Sequence, residues 1–199
     1  MACLTSTGRK STAARQVAEF SASSVVLIPA REGGTDERGV ALNYGPQTFP
    51  EHTNSYNEAQ AILVRVQAQG GIFAIAHPCF PTAPWQWGLS YVNAVEVWCR
   101  DWRGLGPITL DRLDAKNKER QKGKLVNSIA IAPNSAGHSA NSQATLFWDL
   151  ESVRGLRACV IGGSNTSSPE VPMAQPVTYV WAKEKSLHGV LEGLRLGHT

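Results

Sequence analysis

Several features that would narrow the function at once are missing from this chain. No run approaches the roughly 20 apolar residues that a membrane-spanning helix needs, so a membrane protein is not expected. Lys and Arg number 19 against 16 Asp and Glu, and a net charge of +3 is too small an excess to mark a nucleic-acid surface. The densest basic run, Lys116-Asn-Lys-Glu-Arg-Gln-Lys-Gly-Lys124, also holds Glu119 and reads as a solvated helix end or loop. Four cysteines, at positions 3, 79, 99 and 159, show none of the short pair spacings of a zinc knuckle or a redox dithiol. They read as reduced thiols in a cytoplasmic protein. Internal repeats and low-complexity tracts are absent too.

Acidic residues are lacking over the first 18 positions, which are rich in Ser, Thr, Ala and Arg but carry no clear cleavage signal. Residues 1–22 therefore read as a frayed start with a short helix over Ala13–Phe20, ahead of one domain over 23–199. A chain of 199 residues with 42% hydrophobic content and six Trp is long enough to bury one sizeable core.

What is present is a series of short apolar runs: Val25–Ile28, Gly71–Ala76, Ala94–Trp98, Ala158–Ile161 and Val177–Trp181. Strands that are apolar on both faces suit a sheet covered on both sides, as in parallel α/β folds. Helical patterns lie between them. Asn54 and Ser55 offer caps to a stripe of Ala59, Ile62, Leu63 and Val66. Ser186 caps a second helix with Leu187, Val190, Leu191 and Leu194 on one side and Gly197 as its stop. A third is expected over Gln143–Val153 with Leu146, Phe147 and Leu150 inward, and a short one near Leu110–Leu113. Strand, helix, strand with long crossovers predicts an α/β fold of mostly parallel strands, a sheet or barrel with covering helices.

In such folds chemistry gathers beyond the carboxyl ends of the strands. Glu32 follows the first run, His77-Pro-Cys79 the second, and Gly162-Gly-Ser-Asn-Thr-Ser167 the fourth. Glu96 lies inside Val95-Glu-Val-Trp98, a costly place for a carboxylate without a partner. A Glu, a His and a Glu beyond or within separate strands are the expected donors of a hard-cation site, although their spacing is not a tight local motif. Trp85, Trp87 and Tyr91 are candidates to line a pocket for an aryl group or sugar face, with core packing as the alternative. Cys79 and Cys99 are either soft ligands, a thiol nucleophile, or small buried residues. Gly162-Gly-Ser-Asn-Thr166 lacks the second glycine of a nucleophile elbow, which sets a serine hydrolase aside.

Gly70-Gly-Ile-Phe-Ala-Ile-Ala-His-Pro78, Val92-Asn-Ala-Val-Glu-Val-Trp98, Ser139-Ala-Asn-Ser-Gln-Ala-Thr-Leu-Phe-Trp148, Gly162-Gly-Ser-Asn165, Pro176-Val-Thr-Tyr-Val-Trp-Ala182 and the C-terminal Leu191-Glu-Gly-Leu-Arg-Leu-Gly-His-Thr199, in this order, resemble the PHP (polymerase and histidinol phosphatase) superfamily, in its carbaryl-hydrolase-like branch. The resemblance spans most of the chain after residue 23. It implies a truncated or distorted β/α barrel and a metal-dependent hydrolase. Glu32 matches the family's early glutamate ligand and His77 the histidine of its Gly-Gly…His-Pro motif. Where the family places Ser-Asp-x-His, this chain has Ser164-Asn165-Thr166-Ser167. The family's opening Asp-x-His-x-His motif and later Asp-His pair are missing, and His138, His188 and His198 are too scattered to replace them.

The expectation is a hydrolase of an ester, carbamate or phosphoester using metal-activated water. Glu32 and His77 would bind the metal, and Glu96 and His77 are the catalytic groups, Glu96 either binding the ion or acting as base. Ser164, Asn165, Ser167, Trp85, Trp87 and Cys99 are the expected substrate contacts. With so few ligands the cofactor is at most one divalent ion, Mn, Zn or Mg, weakly bound. The partner is a small-molecule substrate, and a sheet edge left open by missing strands favours a homodimer. The alternatives are a non-catalytic pocket protein for an aromatic or sugar-like ligand, and a metal-independent glycan hydrolase using paired Glu32 and Glu96.

Overall fold

A computed structural model of the chain describes residues 2–6, 25–35, 38–45, 55–80, 83–88, 90–100, 140–165 and 176–199. Among them six strands form one sheet: β1 (Ala2–Ser6), β2 (Val26–Thr35), β3 (Gly39–Tyr44), β4 (Ile72–Ala76), β5 (Ala94–Cys99) and β6 (Cys159–Gly163). They lie side by side in chain order. Three helices join them: α1 (Tyr56–Ala68), α2 (Ala140–Val153) and α3 (Leu187–Arg195).

The expected truncated, mostly parallel β/α barrel is not what forms. The sheet is an open, mixed row in which β3 runs antiparallel to both β2 and β4. Parallel pairing holds for β1 with β2, β4 with β5 and β5 with β6. The reason is local. Only residues 36–38 separate β2 from β3, and a parallel neighbour needs a crossover of a dozen residues or more. A hairpin is the one solution, with Ala30 opposite Tyr44 and Glu32 opposite Leu42. The lateral joint between β4 and β5 is short, with Ala74 opposite Ala94 and Ile75 opposite Val95. Asn93 reinforces it, since its Oδ1 accepts from the Phe73 amide and its own amide donates to the Phe73 carbonyl, both at 2.9 Å.

Alternation along the strands sorts side chains into two apolar layers. Ala41, Phe73, Ile75 and Val95 face α1 and α2, and pack with Ala59, Leu63, Val66, Ala144, Phe147, Trp85 and Trp87. Ile28, Ala30, Tyr44, Ile72, Ala74, Ala94, Cys159 and Ile161 face α3, and pack with Val190, Leu191 and Leu194. Coverage of both faces is why the central strands are apolar throughout.

α1 starts where the Ser55 hydroxyl accepts from the Glu58 amide at 3.2 Å, and buries Ala59, Leu63 and Val66, with Ile62 at the margin. α3 starts likewise at Ser186, whose hydroxyl accepts from the Gly189 amide at 3.0 Å, and ends at Gly197 with φ 75°. α2 is rotated from its expected setting. Phe147 is buried, but Leu146 and Leu150 are 49% and 46% exposed, and the inward face is Ala140, Asn141, Gln143, Ala144 and Phe147. Asn141 fixes that rotation: its Oδ1 accepts from the Cys99 amide at 3.0 Å and its Nδ2 donates to the Cys99 carbonyl at 2.8 Å.

Val177–Trp181, expected as a strand, has no ladder partner among the described residues. Its link to β6 runs through one side chain, because the Thr178 hydroxyl accepts from the Gly162 amide at 2.8 Å and donates to its carbonyl at 2.9 Å. Ala2–Ser6, read as part of a frayed start, pairs with β2. The helices expected over Ala13–Phe20 and Leu110–Leu113 fall outside the described residues, as does His138.

Candidate functional site

Two antiparallel steps across β3 return β4 to the direction of β2, and β5 and β6 then run parallel to β4. The carboxyl ends of β2, β4, β5 and β6 therefore lie at one end of the sheet. His77 leaves β4 there in a left-handed conformation, φ 33°, and a turn follows in which the Phe80 amide donates to the His77 carbonyl at 2.9 Å. The Phe80 ring meets the His77 imidazole edge to face, centroids 5.4 Å apart. This turn aims the imidazole Nε2 at Glu32 Oε1, 3.7 Å away on β2. It also aims the His77 backbone amide at β5, where it donates to Glu96 Oε2 at 3.2 Å.

His77 thus joins two carboxyls that the chain keeps far apart, and their surroundings differ. Glu96 is 8% exposed, and burial pushes its pKa up to about 8. The His77 amide opposes that rise, and the nearby charge of Glu32 adds to it. Glu32 is exposed, and its pKa is lowered, chiefly by the His77 imidazole 3.7 Å away, against a smaller opposing effect of burial. Two carboxyls around one histidine are therefore biased toward opposite protonation states near neutrality, the arrangement from which acid and base roles arise.

Tyr44 shares this face. Burial and then the charges of Glu96, Glu32 and Cys159 hold its phenol well above its ordinary pKa. Tyr44 was not among the sequence candidates, because β3 was not recognised. The signal was the run Gly39-Val-Ala-Leu-Asn-Tyr-Gly45, an apolar stretch bounded by glycines that both take positive φ.

The other candidates disperse. Ser164 and Asn165 follow β6 at the same end, Ser164 half-buried and Asn165 exposed with φ 45°. Ser167 lies outside the described residues. Trp85 and Trp87 pack in the layer under α1 and α2, opposite the face from which Glu96 projects. The Trp87 indole donates to the Gly39 carbonyl at 3.1 Å, and the Arg38 guanidinium stands 5.3 Å over its ring. Cys99 is buried against Ala140 and Phe80. Cys79 lies in the same layer as the tryptophans, and burial pushes its thiol up to about 12, which keeps it protonated.

A metal ion is tested by the donors present. The 3.7 Å between His77 Nε2 and Glu32 Oε1 is less than twice a metal–ligand bond of about 2.1 Å, so one ion fits between them. Among the described residues no three His, Cys, Asp or Glu side chains gather into a metal-holding group. The pair suits a single ion completed by water. No protein-family model matches the chain, and no curated protein matches it.

Proposed function

We propose that the chain is a hydrolase of esters, carbamates or phosphoesters whose working groups are Glu32, His77 and Glu96. One observation carries this reading: His77 bridges two carboxyls whose surroundings drive their protonation apart. The family resemblance supports Glu32 and His77 as the ligands of a divalent ion. Glu32 and His77 would hold a Mn, Zn or Mg ion, which would supply a water of lowered pKa.

The chain's own part is to hold that site and to manage a proton. Near neutrality Glu96 carries a proton and serves as the acid. As the bond from the carbonyl carbon or phosphorus to the leaving oxygen breaks, Glu96 gives its proton to that oxygen and later recovers one from solvent. Ser164 and Asn165 serve as substrate contacts at the end of β6. No helix among the described residues is long and apolar enough to cross a membrane. The reduced, buried thiols of Cys79, Cys99 and Cys159 support a cytoplasmic setting. β1 stands at one edge of the sheet and supports pairing with a second copy of the chain.

Phenyl acetate, a phenyl carbamate and phenyl phosphate, whose poorer leaving oxygen benefits from a proton, each with added Mn(II) and followed by phenol release, test the proposal. Wild-type protein should turn over at least one of them, and Glu96→Gln should slow that reaction by about 10²–10⁴-fold, the usual contribution of a positioned acid. Turnover of none, or turnover untouched by Glu96→Gln, would overturn it.

A further inference from the structure

A glycine inside a strand marks either a backbone conformation that other residues avoid or a close approach by something else. Gly163, the last residue of β6, is not among the glycines with positive φ, so its backbone suits any residue. A Cβ placed on it would stand 2.7 Å from Glu96 Oε1 and 3.9 Å from Glu96 Cδ, with no other heavy atom within 4 Å among the described residues beyond its chain neighbours. The pairing of β5 with β6 explains this approach. Glu96 lies opposite Ile161 and Cys99 opposite Gly163, with a bulge between Glu96 and Trp98. A bulge re-aims the side chain beside it, and here the carboxyl leans along the strand toward Gly163.

We infer that Gly163 is a positioning residue: its missing side chain reserves the space in which the Glu96 carboxyl rests against the His77 amide. The carboxyl is held from two sides. Oε2 accepts from the His77 amide at the end of β4, and Oε1 occupies the gap that Gly163 leaves at the end of β6. A methyl group at 163 would meet the far end of the Glu96 side chain, which gives way by rotating, and that rotation draws the carboxyl off the His77 amide. As a statement about catalysis this rests on Glu96 being the acid of the proposed hydrolase. The steric relation stands apart from that reading.

The test compares the His77 amide by ¹H–¹⁵N NMR at one fixed pH in wild type, Gly163→Ala and Glu96→Ala, with unfolding midpoints for Gly163→Ala in wild-type and Glu96→Ala backgrounds. In wild type the amide proton that donates to Glu96 should lie downfield of its position in Glu96→Ala. In Gly163→Ala it should move most of the way to the Glu96→Ala position. Gly163→Ala should lower the unfolding midpoint by several degrees when Glu96 is present. In the Glu96→Ala background, where the obstacle is gone, it should leave the midpoint unchanged or raise it. A Gly163→Ala protein whose His77 amide resonates as in wild type, or an equal loss in both backgrounds, would overturn the inference. Should the single variant fail to fold, a folded Glu96→Ala/Gly163→Ala protein supports it, and an unfolded double variant beside a folded Glu96→Ala protein overturns it. Absence of hydrolysis in wild type would remove the proposed reaction and leave these readouts standing.

Discussion

Replacing Glu96 by Gln should remove a specific pH dependence of stability. Glu96 binds its proton with a pKa of about 8 in the folded chain, against 4.5 as the ordinary value, a gap of 3.5. The folded state therefore favours the protonated carboxyl. Its contribution is fully present below pH 4.5, declines as pH rises, and is gone above about 8. At about 1.4 kcal/mol for each unit, the loss is about 5 kcal/mol as an upper bound, and water entering the opened site reduces it. Gln keeps the shape and an acceptor for the His77 amide but has no proton to lose. Wild type and variant should thus be close in stability at pH 5 and diverge steadily to pH 9, with wild type falling behind. For a chain of this size each kcal/mol moves the midpoint by roughly 2–4 °C, so the divergence should approach 10 °C or more. Glu32 does not confuse the window. Its lowered pKa makes its contribution present above 4.5 and lost only as pH falls below it. Thermal and urea unfolding followed by tryptophan fluorescence at pH 5, 6, 7, 8 and 9 measure the effect. Parallel wild-type and Gln curves across that range would refute the assignment of a buried, proton-retaining Glu96.

Three further outcomes are expected. Added Mn(II) at tenfold over its dissociation constant should stabilise wild type by about 1.4 kcal/mol, and Glu32→Gln or His77→Asn should abolish that gain; calorimetry with and without the ion checks it. Asn141→Ala leaves both peptide groups of Cys99 without their side-chain partner in a buried place and should cost about 1–3 kcal/mol in urea unfolding. Phe147→Ala should cost about 3–5 kcal/mol, whereas Leu146→Ala and Leu150→Ala, on the same helix, should each stay near 0.5 kcal/mol; urea unfolding checks the contrast, which reads out the rotation of α2.

The sequence disclosed burial more readily than direction. Ile72–Ala76 is buried on both faces, and its uninterrupted apolar character says so correctly. That character says only that the sheet is covered twice. It is silent on whether a neighbour runs parallel, and the inserted β3 made two joints antiparallel. α1 and α3 were legible because a serine cap, an apolar stripe and a glycine stop agree. α2 was misjudged in rotation because a polar contact, Asn141 with Cys99, outweighed the apolar pattern of Leu146 and Leu150. Val177, Tyr179 and Trp181 imitate a strand in composition yet stand exposed, while Thr178 makes the connection to β6. At the site, Glu96 was visible as a charge inside an apolar run. Gly163 was not, since a strand-ending glycine looks the same whether it turns the chain or yields room to a neighbour's carboxyl.

The joint between β4 and β5 is short, and the bond from the His77 amide to Glu96 lies just beyond it, at the end of the sheet where these strands finish. That bond works as a stitch closing the open end of a seam. Any fluctuation that parts the two strands from that end undoes the stitch first and lets water reach the carboxyl. Once wetted, Glu96 recovers the proton affinity of an ordinary carboxylate and ionises at neutral pH. The resulting charge resists being drawn back into a dry place. Opening of the seam and loss of a proton are thereby coupled, so rising pH favours the parted form through a single buried side chain.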